Sequence, residues 1–469
     1  MQKDKFKMLV VNGTLAILVF YISLVIGEIL LRTLYPQSLL KYRPNVYEYD
    51  MFLGWTYKKN SSFNVSSPDD SEIIHLDFNL DGFRQDSYVA DKKKILLIGD
   101  STTGALQVNS SDHFGTIINN RFPEYQVINA GVNGYSTDQA YLSMSKLMNE
   151  HDIHLVIYLF NPNDIPGNLF RSMNIGIHRY GKPFFDIDDG VLLRKDNSAK
   201  KREFRDEILI DRELLYELEF TGFEDLVKVI EQSPIYGKSY EDLTMLRRVA
   251  KEIFDEETGE IIVNAIMLRA MNPPTVRKVL RRREEAKHAK TPSVWSFFVT
   301  RKKWNEIFSE YYTKLQKNDS DNLYKNISLC PLHYKLQRTQ TIEKAWNIQE
   351  LLLDSMNDMA KKNNSHFLIV PHIDYIAEYD YLKYKNAINK LNECQAEKFH
   401  ADLEFSAKKH NIPIVMEVLE LAKERHSSKE YYNFKDNEGQ TVNGHYSKKG
   451  HKITAEGIIK HIEANKLLQ

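Results

Sequence analysis

Cysteine is almost absent. The 469 residues contain two, Cys330 and Cys394, far apart and with no metal-ligand spacing around them. That excludes a disulfide-dense scaffold; one bridge is allowed, and free thiols are the simpler reading. Net charge is nearly absent as well. Lys and Arg number 63 against 64 Asp and Glu, a formal charge of -1, so no general attraction to nucleic acid is expected. No Cys/His/Asp cluster has metal-ligand spacing, and no glycine-rich dinucleotide or phosphate loop follows a strand. No metal and no cofactor are therefore expected. Internal repeats and long low-complexity runs are missing too. With 42% apolar and 27% charged residues, the composition is otherwise that of a globular protein. The length suits several domains, or one domain with a large insertion.

One uncharged run stands out. Met8 to Gly27 is 20 residues without a charge, densest in apolar residues from Leu15 to Ile26. At about 1.5 Å per residue, such a helix spans a hydrocarbon layer of roughly 30 Å. Lys3, Lys5 and Lys7 precede it, and Glu28 and Arg32 follow. A cleaved signal peptide competes with this reading. The length of the run and the lack of a clear small-x-small cleavage site favour an uncleaved single-pass anchor within residues 1–35. The amino-terminal lysines favour a cytoplasmic N-terminus and an extracytoplasmic domain, although Arg32, Lys41 and Arg43 weaken the asymmetry.

Residues 36–92 read as an irregular, turn-rich connector. Its aromatic cluster, Tyr47, Tyr49, Phe52, Trp55 and Tyr57, is expected to pack onto the domain that follows. From Lys94 to Asn163 short apolar strands alternate with helices. The strands are Ile95–Ile98, Tyr125–Asn129 and His154–Phe160; the helices are 113–121 and 137–150. This rhythm predicts a parallel sheet with helices on both faces and a ligand outside the carboxyl ends of the strands. Each strand ends in small polar residues: Gly99-Asp100-Ser101, then Asn129 to Ser136, then Asn161-Pro162-Asn163-Asp164.

Residues 170–340 are rich in charge and helix formers and lack a parallel-strand rhythm. They are expected to form a helical insertion or lid. Within it, Arg277 to Arg283 reads as a solvated helix face, with anionic lipid or polymer binding as the alternative. Val294 to Val299, with Trp295 and Phe298, reads as core packing, with a dip into a membrane surface as the alternative. Alternation resumes near Ile342. A helix at 342–361, the strand Phe367–Val370, a helix near 381–409 and the strand Ile412–Met416 precede Asn443-Gly444-His445 and a final helix.

A serine hydroxyl is barely nucleophilic until an imidazole accepts its proton, and Gly-Asp-Ser alone is ordinary turn chemistry. Four pieces in order carry more information. The Gly99-Asp100-Ser101 turn, the Gly134 turn after the second strand, Asn163-Asp164 after the third and the late His445 together resemble the four blocks of the SGNH/GDSL hydrolases. The resemblance covers 94–168 and 366–462. It implies an α/β fold, a three-layer α/β/α SGNH-type parallel sheet. Its two parts, 93–169 and 341–469, flank the 170–340 insertion and follow the N-terminal transmembrane helix and connector.

By that resemblance Ser101 is the nucleophile and His445 the general base. The Ser101 and Gly134 backbone N–H groups and the Asn163 amide form the oxyanion hole, and Asp100 and Asp164 brace the loops. The sequence departs from the family beside the base. An aspartate is expected two or three residues before the histidine, but position 443 is Asn and 442 is Val. Asn443 orients the ring as a neutral acceptor, or Asp436 or Glu438 reaches in, or the pair works as a dyad. Simpler roles compete throughout. Gly134 suits a turn needing positive φ, and Asn163 or Asp164 suits a helix cap. His451 suits packing, and His372 suits the wall of a pocket. The expected function is a membrane-anchored serine esterase or O-acyltransferase acting on acyl esters of an envelope glycan or lipid. A weak or inactive binding or assembly protein and a membrane-associated lipase or phospholipase are the alternatives.

Overall fold

A computed structural model describes residues 2–34, 45–67, 72–84, 89, 91–175, 178–196, 202–203, 208–220, 224–240, 243–256, 258–259, 262–263, 265–266, 338–373, 396–426, 433–435 and 441–468, some side chains excepted. The chain divides into two compact units: Met1–Tyr42 with Met271–Asn326, and Arg43–Ala270 with Ile327–Gln469. The described part of the first is one helix, α1 (Gln2–Leu34), 33 residues long. Its apolar side chains are exposed, among them Leu15, Ile17, Phe20 and Ile26. Its described side chains run without a gap only from 11 to 27. Among the described residues no helix is long and apolar enough to cross a membrane. The transmembrane span expected over Met8–Gly27 is thus not supported by these residues.

The second unit opens with two antiparallel hairpins where an irregular connector was expected. Strand β1 (Tyr47–Asp50) pairs with β2 (Gly54–Tyr57), and β3 (Ser61–Ser66) with β4 (Ile73–Phe78). In β4 the residues Ile74, Leu76 and Phe78 are buried while Ile73, His75 and Asp77 face solvent. That is the alternation of a strand with one solvated face, and it gives the stretch its polar look. Trp55 and Tyr57 are fully buried. Trp55 meets Tyr135 edge-on at 5.7 Å, and Tyr57 stacks on Phe78 at 4.6 Å.

The sheet that carries the site starts at β5 (Lys94–Gly99), buried along its whole length. The helices α2 (Ser101–Gly104) and α3 (Phe114–Arg121) lead to β6 (Gln126–Asn129). Then α4 (Thr137–Glu150), β7 (Ile153–Phe160) and α5 (Asp164–Gly167) follow. With a later strand, β15 (His366–Pro371), they form a four-stranded sheet in the order β15-β7-β5-β6, parallel throughout. Successive side chains point to opposite faces. Leu96, Ile98, Val156 and Tyr158 share a core with Ala140 and Leu147 of α4. Ile95, Leu97, Leu155 and Ile157 share another with Phe114 and Ile118 of α3. Helices therefore cover both faces.

Residues 172–209 depart from the expected helical insertion. Strand β8 (Ser172–Ile175) pairs with β9 (His178–Gly181), and β10 (Phe184–Asp188) with β11 (Val191–Lys195). Two short pairs follow, β12 (Arg202–Glu203) with β9 and β13 (Ile208–Leu209) with β14 (Ser239–Tyr240). Helices enter only later, as α6 (Arg212–Phe220), α7 (Glu224–Glu231) and α8 (Leu243–Ile253). Strands β10 and β11 are short and mostly half-buried, so they lack the unbroken apolar run that marks a strand buried on both faces. The 277–283 basic run, Trp295, Phe298, both cysteines, Asp436 and Glu438 lie outside the described residues.

Helix α9 (Gln340–Lys362) returns the chain to β15, and α10 (Ala396–Lys409) follows. The expected strand at 412–416 contributes a single parallel bridge, Ile414 to Ile369. Pro413 has no N–H to give a ladder, and α11 (Glu417–His426) begins directly after. Strand β16 (Asn433–Lys435) pairs with β17 (Thr441–Tyr446), and α12 (Lys448–Ala464) ends the fold. His445 therefore sits on a strand rather than in a loop.

Candidate functional site

Gly99 closes β5 with φ +148; a Cβ there would lie 2.4 Å from Thr103 Oγ1 and 2.9 Å from the Leu159 carbonyl. Only glycine makes this turn. The next residue, Asp100, is buried. One carboxylate oxygen accepts the Thr102 N–H at 2.8 Å and the other the Asn161 Nδ2 amide at 3.1 Å. The turn is thus braced from its own helix and from the end of β7. Ser101 follows, partly buried at the carboxyl edge of the sheet. His445 Nε2 lies 2.7 Å from Ser101 Oγ, across 344 residues of chain. With the serine donating, the ring carries its own proton on Nδ1.

The other expected residues sit on the neighbouring loops. Gly134 has φ +80, in a turn closed by the Tyr135 N–H to the Val132 carbonyl at 3.1 Å. A Cβ there would lie 2.4 Å from Ile175 Cδ1 and 2.8 Å from Met173 Sδ, so β8 packs directly against the turn. Asn163 is exposed, and its side chain does not cap α5. Among the described residues, the Ser101 and Gly134 backbone N–H groups and the Asn163 amide are engaged in no hydrogen bond. Asp164 is buried, and its Oδ2 accepts the Tyr158 hydroxyl at 2.8 Å and the Asn161 N–H at 2.9 Å. Burial, then the neighbouring Asp100 charge, pushes its carboxyl well above the usual range. Asn443 pairs with Phe434 across β16 and β17; its side chain lies outside the described residues.

Trp55 and Tyr57 belong to the aromatic cluster expected to pack onto this domain and are buried against it. The polar contacts they make, and the buried Arg84 and Lys182, were not singled out from sequence. Tyr57 donates its hydroxyl to Asn133 Oδ1 at 2.7 Å, and Trp55 Nε1 donates to the Asn133 carbonyl at 2.9 Å. The first hairpin thereby holds the loop of Gly134. Arg84, also buried, donates to the Ala105 and Val108 carbonyls and holds the chain just past α2. Lys182 lies buried against Asp138 at the start of α4. From there a chain of contacts runs back to the serine turn. The Asp138 N–H donates to Asn168, and Asn168 and Thr137 both donate to Gln349. Thr137 also meets the Tyr158 hydroxyl, whose acceptor is Asp164. A run of short polar residues at the strand ends was the visible signal, but not which of them would join.

The histidines divide sharply. His113 accepts the Gly115 N–H on Nδ1 and meets the Thr103 carbonyl with Nε2, at 3.0 and 2.9 Å. His451 is fully buried, and both ring nitrogens lack a hydrogen-bond partner among the described residues. Its ring stacks on Phe114 at 5.7 Å and meets Tyr446 edge-on at 5.6 Å. The packing role expected of it is the arrangement observed. Among the described residues no group of His, Cys, Asp and Glu is placed to hold a metal ion.

No protein family and no curated protein matches the chain. Among solved structures it is similar to the crystal structure of TesA, with a TM-score of 0.31 and 9% identity, over 80% of this chain and 100% of that one. That score is too low to establish a shared fold.

Proposed function

We propose that the chain is a serine esterase or O-acyltransferase of the SGNH/GDSL type, working through a Ser101 acyl-enzyme with His445 as base. One observation carries the reading: Ser101 Oγ and His445 Nε2 lie 2.7 Å apart, at the carboxyl edge of a parallel sheet where such folds bind ligands. As Oγ bonds to the ester carbonyl carbon, Nε2 takes its proton. The carbonyl oxygen becomes an oxyanion, and the Ser101 and Gly134 N–H groups and the Asn163 amide are its donors. Loss of one such donor costs on the order of 3–4 kcal/mol of transition-state stabilisation. His445 then returns the proton to the departing alkoxide as the C–O bond breaks. Attack by water on the acyl-enzyme releases an acid; attack by a sugar hydroxyl forms a new ester. In either case His445 accepts the attacking proton and passes it to Ser101.

The uncharged stretch from Met8 to Gly27 and the exposed apolar side chains of α1 favour a single-pass anchor with the domain outside the cytoplasm. The substrate of a tethered enzyme is then an acyl ester fixed at the envelope, on a glycan or a lipid. Release of the chain from membranes by alkaline carbonate would sink the anchor.

The catalytic reading is tested with a fluorophosphonate probe on the full-length chain in detergent. Ser101→Ala and His445→Ala run beside the wild type, with folding followed by circular dichroism. Labelling of the wild type that is lost in both variants supports an activated Ser–His pair. A well-folded wild type that does not label overturns it and leaves a glycan-binding or assembly role as the leading alternative.

A further inference from the structure

His372 is buried at the end of β15 and takes no part in the acyl transfer proposed above. Three connections converge on it. Its backbone N–H donates to the Phe160 carbonyl at 3.0 Å, at the end of β7 and next to Asn161, the residue that braces Asp100. Its Nε2 lies 3.0 Å from the hydroxyl of Thr102, the residue after Ser101. Its ring stacks on Tyr446, the residue after His445, at 4.5 Å and 25°. The neighbouring Ile373 N–H donates to the Tyr446 hydroxyl at 2.7 Å, tying the same two strands a second time.

Burying an imidazole is costly unless its polar atoms find partners. Burial pushes this ring down to about 4, so it is neutral at physiological pH. An apolar residue of equal size would fill the space without that penalty, so the polar atoms need a reason to be there. The contacts supply one. Ser101 and His445 come from opposite ends of the unit, and β17 pairs with β16 rather than with the parallel sheet. Main-chain ladder bonds therefore do not set the distance between them. His372 touches the neighbour of each, from a strand that belongs to the sheet.

Resting on the acyl-transfer reading, we infer that His372 is a positioning residue that registers the serine turn against the base strand through Thr102 and Tyr446. It does not touch the reacting atoms. Its contribution is to hold Oγ and Nε2 at bonding distance, and displacements of about 1 Å at a reacting pair cost rates on the order of a hundredfold.

The test measures the second-order rate of fluorophosphonate labelling on the full-length chain, with urea unfolding in parallel. The variants are Thr102→Val, Thr102→Ser, His372→Phe and the Thr102→Val/His372→Phe double. His372→Phe keeps the stacking ring and removes the hydrogen bond; Thr102→Val removes the same bond from the other side with almost no change in volume. Labelling is expected to fall about tenfold or more in each. Thr102→Ser restores it, and the double variant is no slower than the slower single one. With p-nitrophenyl acetate as probe, the loss falls on kcat and leaves KM nearly unchanged. Wild-type labelling rates in folded Thr102→Val overturn the inference, even where His372→Phe does not fold. Losses that multiply in the double variant overturn it too. A wild type that does not label at all overturns the acyl-transfer reading itself and this inference with it.

Discussion

Asp138 and Lys182 form an ion pair, Nζ to carboxylate at 2.8 Å, in which neither side chain reaches solvent. Lys182 Nζ also donates to the Gly167 carbonyl at 2.8 Å, so one ammonium joins the start of α4, the end of α5 and the chain between β9 and β10. The hairpins of 172–195 are tied in this way to the loops that carry Gly134 and Asn163.

Removing one partner of such a pair strands a charge. Burial raises the Asp138 carboxyl even though the Lys182 charge opposes that rise. Lys182→Met is expected to cost about 3–5 kcal/mol, while the apolar double replacement Lys182→Met/Asp138→Leu costs far less. Urea unfolding of the single and double variants measures the difference. Additive losses would show that the pair is not coupled.

Gly134→Ala meets two obstacles, a φ of +80 and the Ile175 and Met173 side chains. The backbone alone accounts for about 1–3 kcal/mol. The melting temperature of the variant is expected to fall, and probe labelling with it. Adding Ile175→Ala relieves the contact but not the backbone strain, so the recovery should be partial. A variant as stable as the wild type contradicts the observed turn.

Acid should destabilise the fold well above the carboxylate range. Burial pushes His113 down to about 3, His372 and His400 down to about 4, and His451 well below the usual range. Arg84 adds to the effect at His113 and His451, and Lys423 at His400. Unfolded, each histidine titrates near 6.5. Between about 6.5 and about 4 the unfolded chain therefore binds protons that the folded chain does not. Stability is lost as pH falls through that window, at about 1.4 kcal/mol per pH unit for each histidine. Asp138 and Asp164 have raised folded values and act in the opposite sense, offsetting part of the loss. Urea midpoints at pH 7, 6 and 5 measure the net slope, and a flat series contradicts it.

Asn443→Asp tests the departure beside the base. Asn443 stands two residues before His445 on β17; under the proposed function, a carboxylate that reached Nδ1 would hold its proton and favour an imidazolium. In a serine protease the reverse change costs about four orders of magnitude. Labelling is therefore expected to quicken at least about tenfold. An unchanged rate would mean that another group already orients the ring.

The three strands from 94 to 160 and their helices were legible because a strand buried on both faces must be an unbroken apolar run. Ile95 to Ile98 and Leu155 to Phe160 are such runs. The edge strand β6, Gln126–Asn129, is only half-buried at its start and was legible from the helix–strand alternation around it. Small polar residues mark where each leaves the sheet. The same logic fails for one-sided elements. In β4 every second side chain faces water, and β10 and β11 are for the most part only half-buried. Neither stretch is the unbroken apolar run of a strand buried on both faces. The strand at 412–416 was legible as an apolar run, but Pro413 left it one bridge. The Gly99-Asp100-Ser101, Gly134 and Asn163-Asp164 turns were legible one by one only as turn chemistry, and nothing local in the sequence tied them to His445.

Sequence alone determined which residues end each strand, because those turns depend on local backbone geometry. Tertiary structure alone decided what meets there. Ser101 opposite His445, His372 between Thr102 and Tyr446, and Lys182 inside the α4–α5 loops all join distant parts of the chain. Such contacts depend on where β15 in the sheet, β17 outside it and the chain around Lys182 come to lie, and no periodicity in the intervening residues encodes them.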